Sequence, residues 1–323
     1  MMQDNTPWND EFGLIKKLLK MTPDHQATLD YLIAPPGDDA ALLCPLTKPV
    51  ITTDTQKEGV HFRLDWQMPE EIGRKAVEIT FSDLAASYAI PMSLFINLSL
   101  PLQVSDDMVE SLYSGIFRAL TEYNCTLGGG NISRASQFSI DLFAIGQGHE
   151  DIFPKRSCAR SGDGLYCTGS LGLARAGLDA LVRKDRSFKG LIDKFKFPKA
   201  RFDAAKVLSQ HRVTCVTDVS DGLVGDAGHI AEASNITIAL DLKSCVFDSE
   251  LLSYCERYHL SAEDMVLAGG EDYELLFTCL PETFSHIQVD LTCVFQVGKC
   301  LPFNGKYLLN VPPGISSFQH GKM

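Results

Sequence analysis

Val50-Ile51-Thr52-Thr53-Asp54 reads as a short buried strand that ends in two hydroxyls and a carboxylate. Other acids occupy similar places. Asp38-Asp39 follow Pro35-Pro36-Gly37, Ser82-Asp83 lies within an apolar stretch, and Asp218-Val219-Ser220-Asp221-Gly222 closes another. Each sits where an apolar run meets a turn or a helix start, so folding draws it inward. Two like charges about 4 Å apart cost on the order of 4 kcal/mol at an effective dielectric near 20. Crowding Asp38, Asp39, Asp54, Asp83, Asp218 and Asp221 without a counter-ion would destabilise the fold or force some of them to protonate. A hard divalent cation removes that cost: Mg2+ takes carboxylate oxygens, keeps several waters and bridges to substrate phosphates. The Thr52 and Thr53 hydroxyls suit its oxygen shell. The expectation is that the fold gathers these groups around Asp54, where they hold divalent metal and a nucleoside triphosphate.

Each acid taken singly also fits a plainer role. Asp221 before Gly222-Leu223 is a helix N-cap candidate, and Asp38 and Asp39 suit a turn. Gly128-Gly129-Gly130-Asn131 reads as a loop, and a loop without Cβ atoms also lets a backbone approach a phosphate closely. A P-loop is excluded, because the nearest match, Gly172 to Gly177, is followed by Leu178-Asp179. H-E-x-x-H, G-x-S-x-G and C-x-x-C are absent. Residue types alone thus reach metal-assisted phosphate chemistry, in which positioning and charge neutralisation do most of the work.

The elements that must position these groups are legible in part. Glu11 to Leu19 reads as a short amphipathic helix, and Ala40-Leu43 and Val50-Thr53 as two strands. Pro69-Glu70-Glu71 marks a helix start, with that helix running to about Ala89. Leu94, Ile96, Leu98 and Leu100 alternate as a strand, Met108, Leu112, Ile116 and Leu120 mark a helix, and Phe138 to Ala144 a further strand. His149 to Gly162 is polar and reads as a linker. Beyond it come strands at Leu165-Thr168, Val213-Val219, Ile236-Leu242, Glu274-Thr278 and Val294-Val297. Helices follow near Leu171-Leu181 and after Leu223, and residues 183–200 read as a basic surface helix.

The length of 323 residues suggests two domains at about 100–200 residues each, here 1–150 and 151–323. The fold class expected is α/β (α+β), with mixed sheets and helices packed on them. The net charge of −12 argues against a nucleic-acid partner, which needs Lys and Arg to neutralise phosphates. No apolar run of about 18 residues predicts a membrane span, and the first residues lack the pattern of a signal peptide. Ten scattered cysteines without metal spacing read as buried reduced thiols of a cytoplasmic protein.

Assembled, these segments resemble the thiamine-monophosphate kinase family, within the superfamily of aminoimidazole ribonucleotide synthetase and selenide-water dikinase. The resemblance rests on Glu11-Phe12-Gly13-Leu14-Ile15, Gly37 to Leu43, Thr52-Thr53-Asp54, Glu58-Gly59-Val60-His61-Phe62, Lys75-Ala76, Ser82 to Ala86 and Leu127 to Arg134. It continues through Gly162-Asp163, Thr168-Gly169, Asp218 to Leu223 and Gly269-Gly270-Glu271-Asp272-Tyr273-Glu274-Leu275. The resemblance implies a two-domain fold like that of aminoimidazole ribonucleotide synthetase, with N-terminal sheets pairing into a homodimer. It implies direct in-line transfer of the γ-phosphate of ATP to thiamine monophosphate, giving thiamine diphosphate, with several Mg2+ ions. By position, Asp39, Thr52, Thr53, Asp54, Asp83, Asn131, Asp218 and Asp221 would hold metal, with Asp54 and Asp218 central to catalysis. Gly130, Asn131, Arg156 and Ser220 would contact ATP, and His61, Glu271 and Phe318 the thiamine phosphate. Two positions depart from the family pattern. Asn131 stands where many members carry aspartate, and Ser317-Phe318-Gln319-His320-Gly321 replaces a usual G-Y-D-H-F. Other readings are a different ATP-using enzyme of the superfamily, or a non-catalytic sensor of Mg-ATP or thiamine phosphate. Against the first, no reactive cysteine precedes Cys44 and none ends the chain, as selenide-water dikinase and the hydrogenase-maturation relative would require.

Overall fold

The computed structural model describes residues 11–23, 32–34, 36 and 39–315. They form two compact units, one within residues 11–84 and 89–148, the other within residues 85–88 and 149–315.

In the first unit, α1 (Glu11–Lys20) is followed by the short pair β1 (Leu32–Ala34) and β2 (Leu42–Leu43), and then by β3 (Pro49–Lys57). Next come α2 (Pro69–Ala86), β4 (Ile90–Leu100), α3 (Asp106–Glu122), β5 (Thr126–Arg134) and β6 (Ser139–Gln147). The main sheet has the order β3-β6-β4-β5. β6 pairs antiparallel with both β3 and β4, and β5 runs parallel to β4. Leu94, Ile96, Leu98 and Leu100 of β4 are all buried, as their alternation requires. Proline at the first position and two acids in the first turn start α2. Ser105 caps α3, its side chain accepting the Met108 N–H. These two helices cross backbone to backbone, because a Cβ on Gly73 would lie 2.1 Å from the Leu112 oxygen and one on Gly115 1.9 Å from the Glu70 oxygen.

Gly128 to Asn131, expected as a loop, lie inside β5. The pairing steps from Leu94↔Leu127 to Phe95↔Gly129, which makes Gly128 the extra residue of a bulge. The Phe95 ring occupies the space a side chain at Gly128 would need, with a ring carbon 2.5 Å from the ideal Cβ. Glycine here serves strand packing, and it hides the strand from any hydrophobic pattern.

The second unit adds β7 (Gly164–Thr168), α4 (Leu173–Val182), α5 (Lys189–Lys196), α6 (Phe202–Gln210), β8 (Cys215–Asp218), α7 (Leu223–Ser234) and β9 (Ile236–Leu240). It ends with α8 (Ser249–Tyr258), α9 (Ala262–Ala268), β10 (Leu275–Cys279), α10 (Pro281–Asp290), β11 (Val294–Pro302) and β12 (Leu308–Leu309). Its sheet has the order β12-β9-β11-β7-β10-β8 and is antiparallel except at β12–β9. Mixed sheets with packed helices are thus the architecture of both units. Tyr166 and Phe277 lie at the centre of the second core, with Tyr166 stacked on Phe284 at 3.7 Å between ring centroids.

Two sequence expectations need correction. Within 183–200, α5 buries Leu191, Ile192 and Phe195, so it packs as part of the unit and does not merely lie on the surface. Residues 149–162 carry a 3-10 turn, Arg156–Cys158, and bury Ile152 and Ala159, so this polar stretch packs where a free linker was expected.

Candidate active site

In the first unit the long strand β3 carries Thr52 and Asp54 on one face. Alternation turns Thr53, with Ile51, to the other. Thr52 Oγ1 donates to Asp83 Oδ2 at 2.5 Å, so the strand hydroxyl and the helix α2 carboxylate are paired. Asp54 Oδ1 accepts the Thr55 N–H at 2.7 Å, which fixes its side chain against its own strand. After β3 the chain turns tightly at Glu58 to Phe62. Lys57 N–H donates to His61 Nδ1 at 3.1 Å, which leaves Nε2 as the N–H position of the ring.

Sites for small molecules are concave and span about 300–1,000 Å3. The first unit has a cavity of ≈ 590 Å3, room enough for a nucleotide. Phe12 and Ile15 of α1, Phe95 of β4, and Asp39, Gly130 and Asn131 line it. Three of the residues singled out from sequence therefore line one cavity. Asp38 and Phe318 lie outside the described residues.

In the second unit β8 ends at Asp218, and its antiparallel pairing with β10, Asp218 opposite Leu275, continues past the strand ends. Val219 N–H donates to Glu274 O at 2.8 Å, Tyr273 N–H to Val219 O at 2.9 Å, and Glu271 N–H to Ser220 O at 2.9 Å. The Asp218–Gly222 and Gly269–Glu274 loops are thus stitched together along their backbones. Glycine is required at the contact: a Cβ on Gly270 would lie 2.5 Å from Ser220 O. Arg156 joins this cluster, its Nε donating to Thr217 Oγ1 at 3.1 Å. Arg156, Asp218, Ser220, Asp221 and Glu271, all singled out from sequence, are therefore neighbours along one end of the second sheet.

Asp221 is not the N-cap of α7. Gly222 holds that position with φ 94°, and the Asp221 N–H donates instead to Asp226 Oδ2 at 3.2 Å. Asp226 is the residue that sequence reasoning missed. It is 1% exposed, and its carboxyl is pushed up to about 8 by burial, with the Asp218 and Asp221 charges adding to the effect. Ligand atoms of Asp221, Asp226 and His229 lie within 4.8 Å of one another. Its position was a usable signal: Asp226 is three residues after Leu223 and four before Ile230, so it falls in the apolar stripe of α7.

Below the stitched loops, Glu274 accepts from Thr168 Oγ1 at 2.7 Å and is paired with Arg201. Asp272 Oδ2 accepts the Gly172 N–H at 2.6 Å and Oδ1 the Ala174 N–H at 3.1 Å, at the start of α4.

Comparison with known proteins identifies the family. Residues 37–147 match the family "AIR synthase related protein, N-terminal domain" and residues 160–287 its C-terminal counterpart. The thiamine-monophosphate kinase of Aquifex aeolicus (strain VF5) is 36% identical over 292 residues, 89% of this chain and 91% of that protein. The chain belongs to the thiamine-monophosphate kinase family. The thiamine-monophosphate kinase of Escherichia coli (strain K12) is 33% identical, covering 89% of this chain and 90% of its own length. Among solved structures, "AaThiL complexed with AMPPCP and TMP" superimposes with a TM-score of 0.75 at 32% identity, over 96% of this chain and 94% of that one. The thiamine-monophosphate kinase of Stenotrophomonas maltophilia K279a gives a TM-score of 0.80 at 30% identity, over 92% of this chain and 96% of that one. The enzyme class read from the sequence, a thiamine-phosphate kinase, is the class of this family.

Proposed function

We propose that this chain transfers the γ-phosphate of ATP to thiamine monophosphate, by direct in-line attack of the acceptor phosphate, to give thiamine diphosphate. The observation that carries the reading is the stitched pair of loops in the second unit, which joins residues suited to a nucleotide and metal to one suited to the acceptor. The relative solved with AMPPCP and TMP supports it. Arg156 supplies a fixed positive charge for phosphate oxygens, and Ser220 a hydroxyl beside it. In the first unit Phe12, Ile15 and Phe95 offer apolar contact to a nucleotide base, while Gly130 approaches it without bulk and Asn131 presents an amide. His61, with its proton on Nε2, donates to an acceptor phosphate oxygen. Glu271 faces the cationic thiamine ring system, with Phe318 as an aromatic partner.

The donor set fits Mg2+. It consists of hard oxygens, and the Asp218 and Asp221 charges that help raise the buried Asp226 carboxyl are charges a divalent cation neutralises. Asp39, Thr52, Thr53, Asp54, Asp83, Asn131, Asp218 and Asp221 would hold the ions. When bound, Mg2+ neutralises phosphate charge and so lets two anionic groups meet. Asp54, inside β3, and Asp218, at the end of β8, would be the central ligands of those ions. Asn131 offers a carbonyl oxygen without a charge, which weakens the ion it touches.

A homodimer through the first unit completes the proposal. Ile51 and Phe143 are 65% and 39% exposed on one face of its sheet, with Thr53 paired opposite Phe143. Such an uncovered apolar face suits a second copy. Among the described residues no helix is long and apolar enough to cross a membrane and no cysteine forms a disulfide; we propose that the enzyme is cytoplasmic.

The test is to mix the protein with Mg-ATP and thiamine monophosphate and assay thiamine diphosphate and ADP. Equal amounts of both products are expected. Binding of both substrates without product would replace the kinase with a sensor.

A further inference from the structure

Two residues in the loop before β10 hold a backbone conformation that L-residues avoid, Glu271 at φ 63° and Tyr273 at φ 51°. Such conformations persist only where the surroundings over-determine them. Two clamps are backbone bonds, Glu271 N–H to Ser220 O and Tyr273 N–H to Val219 O. The third is the side chain between them. Asp272 grips the start of α4 with both oxygens, through the N–H groups of Gly172 and Ala174. First-turn N–H groups have no partner within their helix, and a carboxylate there is favoured by the helix dipole. The anchor is itself fixed: Gly172 has φ 81°, and a Cβ there would lie 2.8 Å from the Met265 carbonyl carbon. The metal-side Asp221 is held by Asp226 and the nucleotide-side Arg156 by Thr217, so of the residues assigned to metal and ATP in this unit only Ser220 shares a backbone bond with Glu271.

We infer that Asp272 is a positioning residue, which by holding the N-terminus of α4 keeps Glu271 in its left-handed conformation for the thiamine monophosphate acceptor. This rests on the assignment of Glu271 to the acceptor in the proposed reaction. Asp272 acts through Glu271, and it governs the acceptor more than the nucleotide.

The experiment is steady-state kinetics of the full chain with Mg2+, varying ATP and thiamine monophosphate separately. Asp272→Asn is expected to raise KM for thiamine monophosphate by about tenfold or more and to leave KM for ATP within about twofold. In a Glu271→Gln background, Asp272→Asn is expected to add nothing further, because the two act as one unit. Equal rises in both KM values, or additive losses in the double variant, would overturn the inference. If Asp272→Asn does not fold, Asp272→Ser, which keeps one oxygen for the helix end, is read in the same way. If neither variant folds, Asp272 serves stability alone and the inference is lost. A wild-type protein that forms no thiamine diphosphate under these conditions would instead sink the kinase reading, and this inference with it.

Discussion

The backbone carbonyl of Ser220 accepts the N–H of Glu271 at 2.9 Å. One bond thus joins a residue proposed to touch ATP to one proposed to touch the acceptor. Phosphoryl transfer depends above all on holding two phosphates in line. A rigid link between the residues that hold them is what that chemistry asks of a fold.

Asp54→Asn is expected to abolish transfer without unfolding the protein. Asparagine keeps an oxygen to accept the Thr55 N–H, so the strand is undisturbed. The lost charge should lower kcat by about 100-fold or more. Circular dichroism and thermal melting check the fold, and near-normal turnover would refute the role.

Asp226→Ala removes the acceptor of the Asp221 N–H. Groups that orient metal ligands typically contribute a factor of about 10–100 in metal affinity. The Mg2+ concentration that half-saturates the rise in melting temperature should increase by about tenfold. An unchanged titration would show that Asp226 does not support the metal ligands.

The magnesium-free protein should lose stability as pH rises from about 4 to about 7. Burial raises the Asp272 carboxyl from 3.8 to about 7, so in that window the folded state binds more protons than the unfolded one. The backbone N–H groups of Gly172 and Ala174 oppose the rise. Of the charged groups facing Asp272, Glu274 adds to it and Lys194 opposes it. Thermal melts across this range should give a flatter profile for Asp272→Asn than for the wild type. Identical slopes would count against burial as the cause.

Gly115→Ala should destabilise the first unit by about 1–3 kcal/mol, because its Cβ meets the Glu70 backbone oxygen and neither helix can yield locally. Urea unfolding measures this. A change below about 0.5 kcal/mol would mean that α2 and α3 slide apart easily.

Arg201→Met should cost about 3–5 kcal/mol, since it leaves the buried Glu274 carboxylate with only the longer Lys194 contact at 4.0 Å as a cation. Adding Glu274→Gln should recover part of the loss. Failure to recover it would show that packing of the arginine stem, and not the charge pair, dominates.

Much of the first unit was legible because its signals are strong. Leu94 to Leu100 alternate, and Pro69-Glu70-Glu71 open a helix with standard chemistry. The acid at a strand end is right for Asp218, the last residue of β8. Asp54 instead lies inside β3, which runs on to Lys57 because its pairing with β6 continues to Ser139, and Val50–Asp54 are only partly buried or exposed. β5 was missed because three glycines carry no hydrophobic period, and the reason for them, the Phe95 ring, is distant in sequence. In the second unit α6, α8, α9 and α10 went unmarked. They are short, at 7 to 10 residues, and their apolar stripes span few turns. Asp226 escaped because an acid inside a helix is ordinary until the face it occupies is asked about.

The three backbone bonds between the Asp218–Gly222 and Gly269–Glu274 loops also constrain how this protein can change over time. An inserted or deleted residue in either loop would shift its carbonyls past their partners and misalign the other. The two stretches, some fifty residues apart in the chain (218 and 269), must therefore keep their lengths in step, and side chains can drift there far more freely than spacing can.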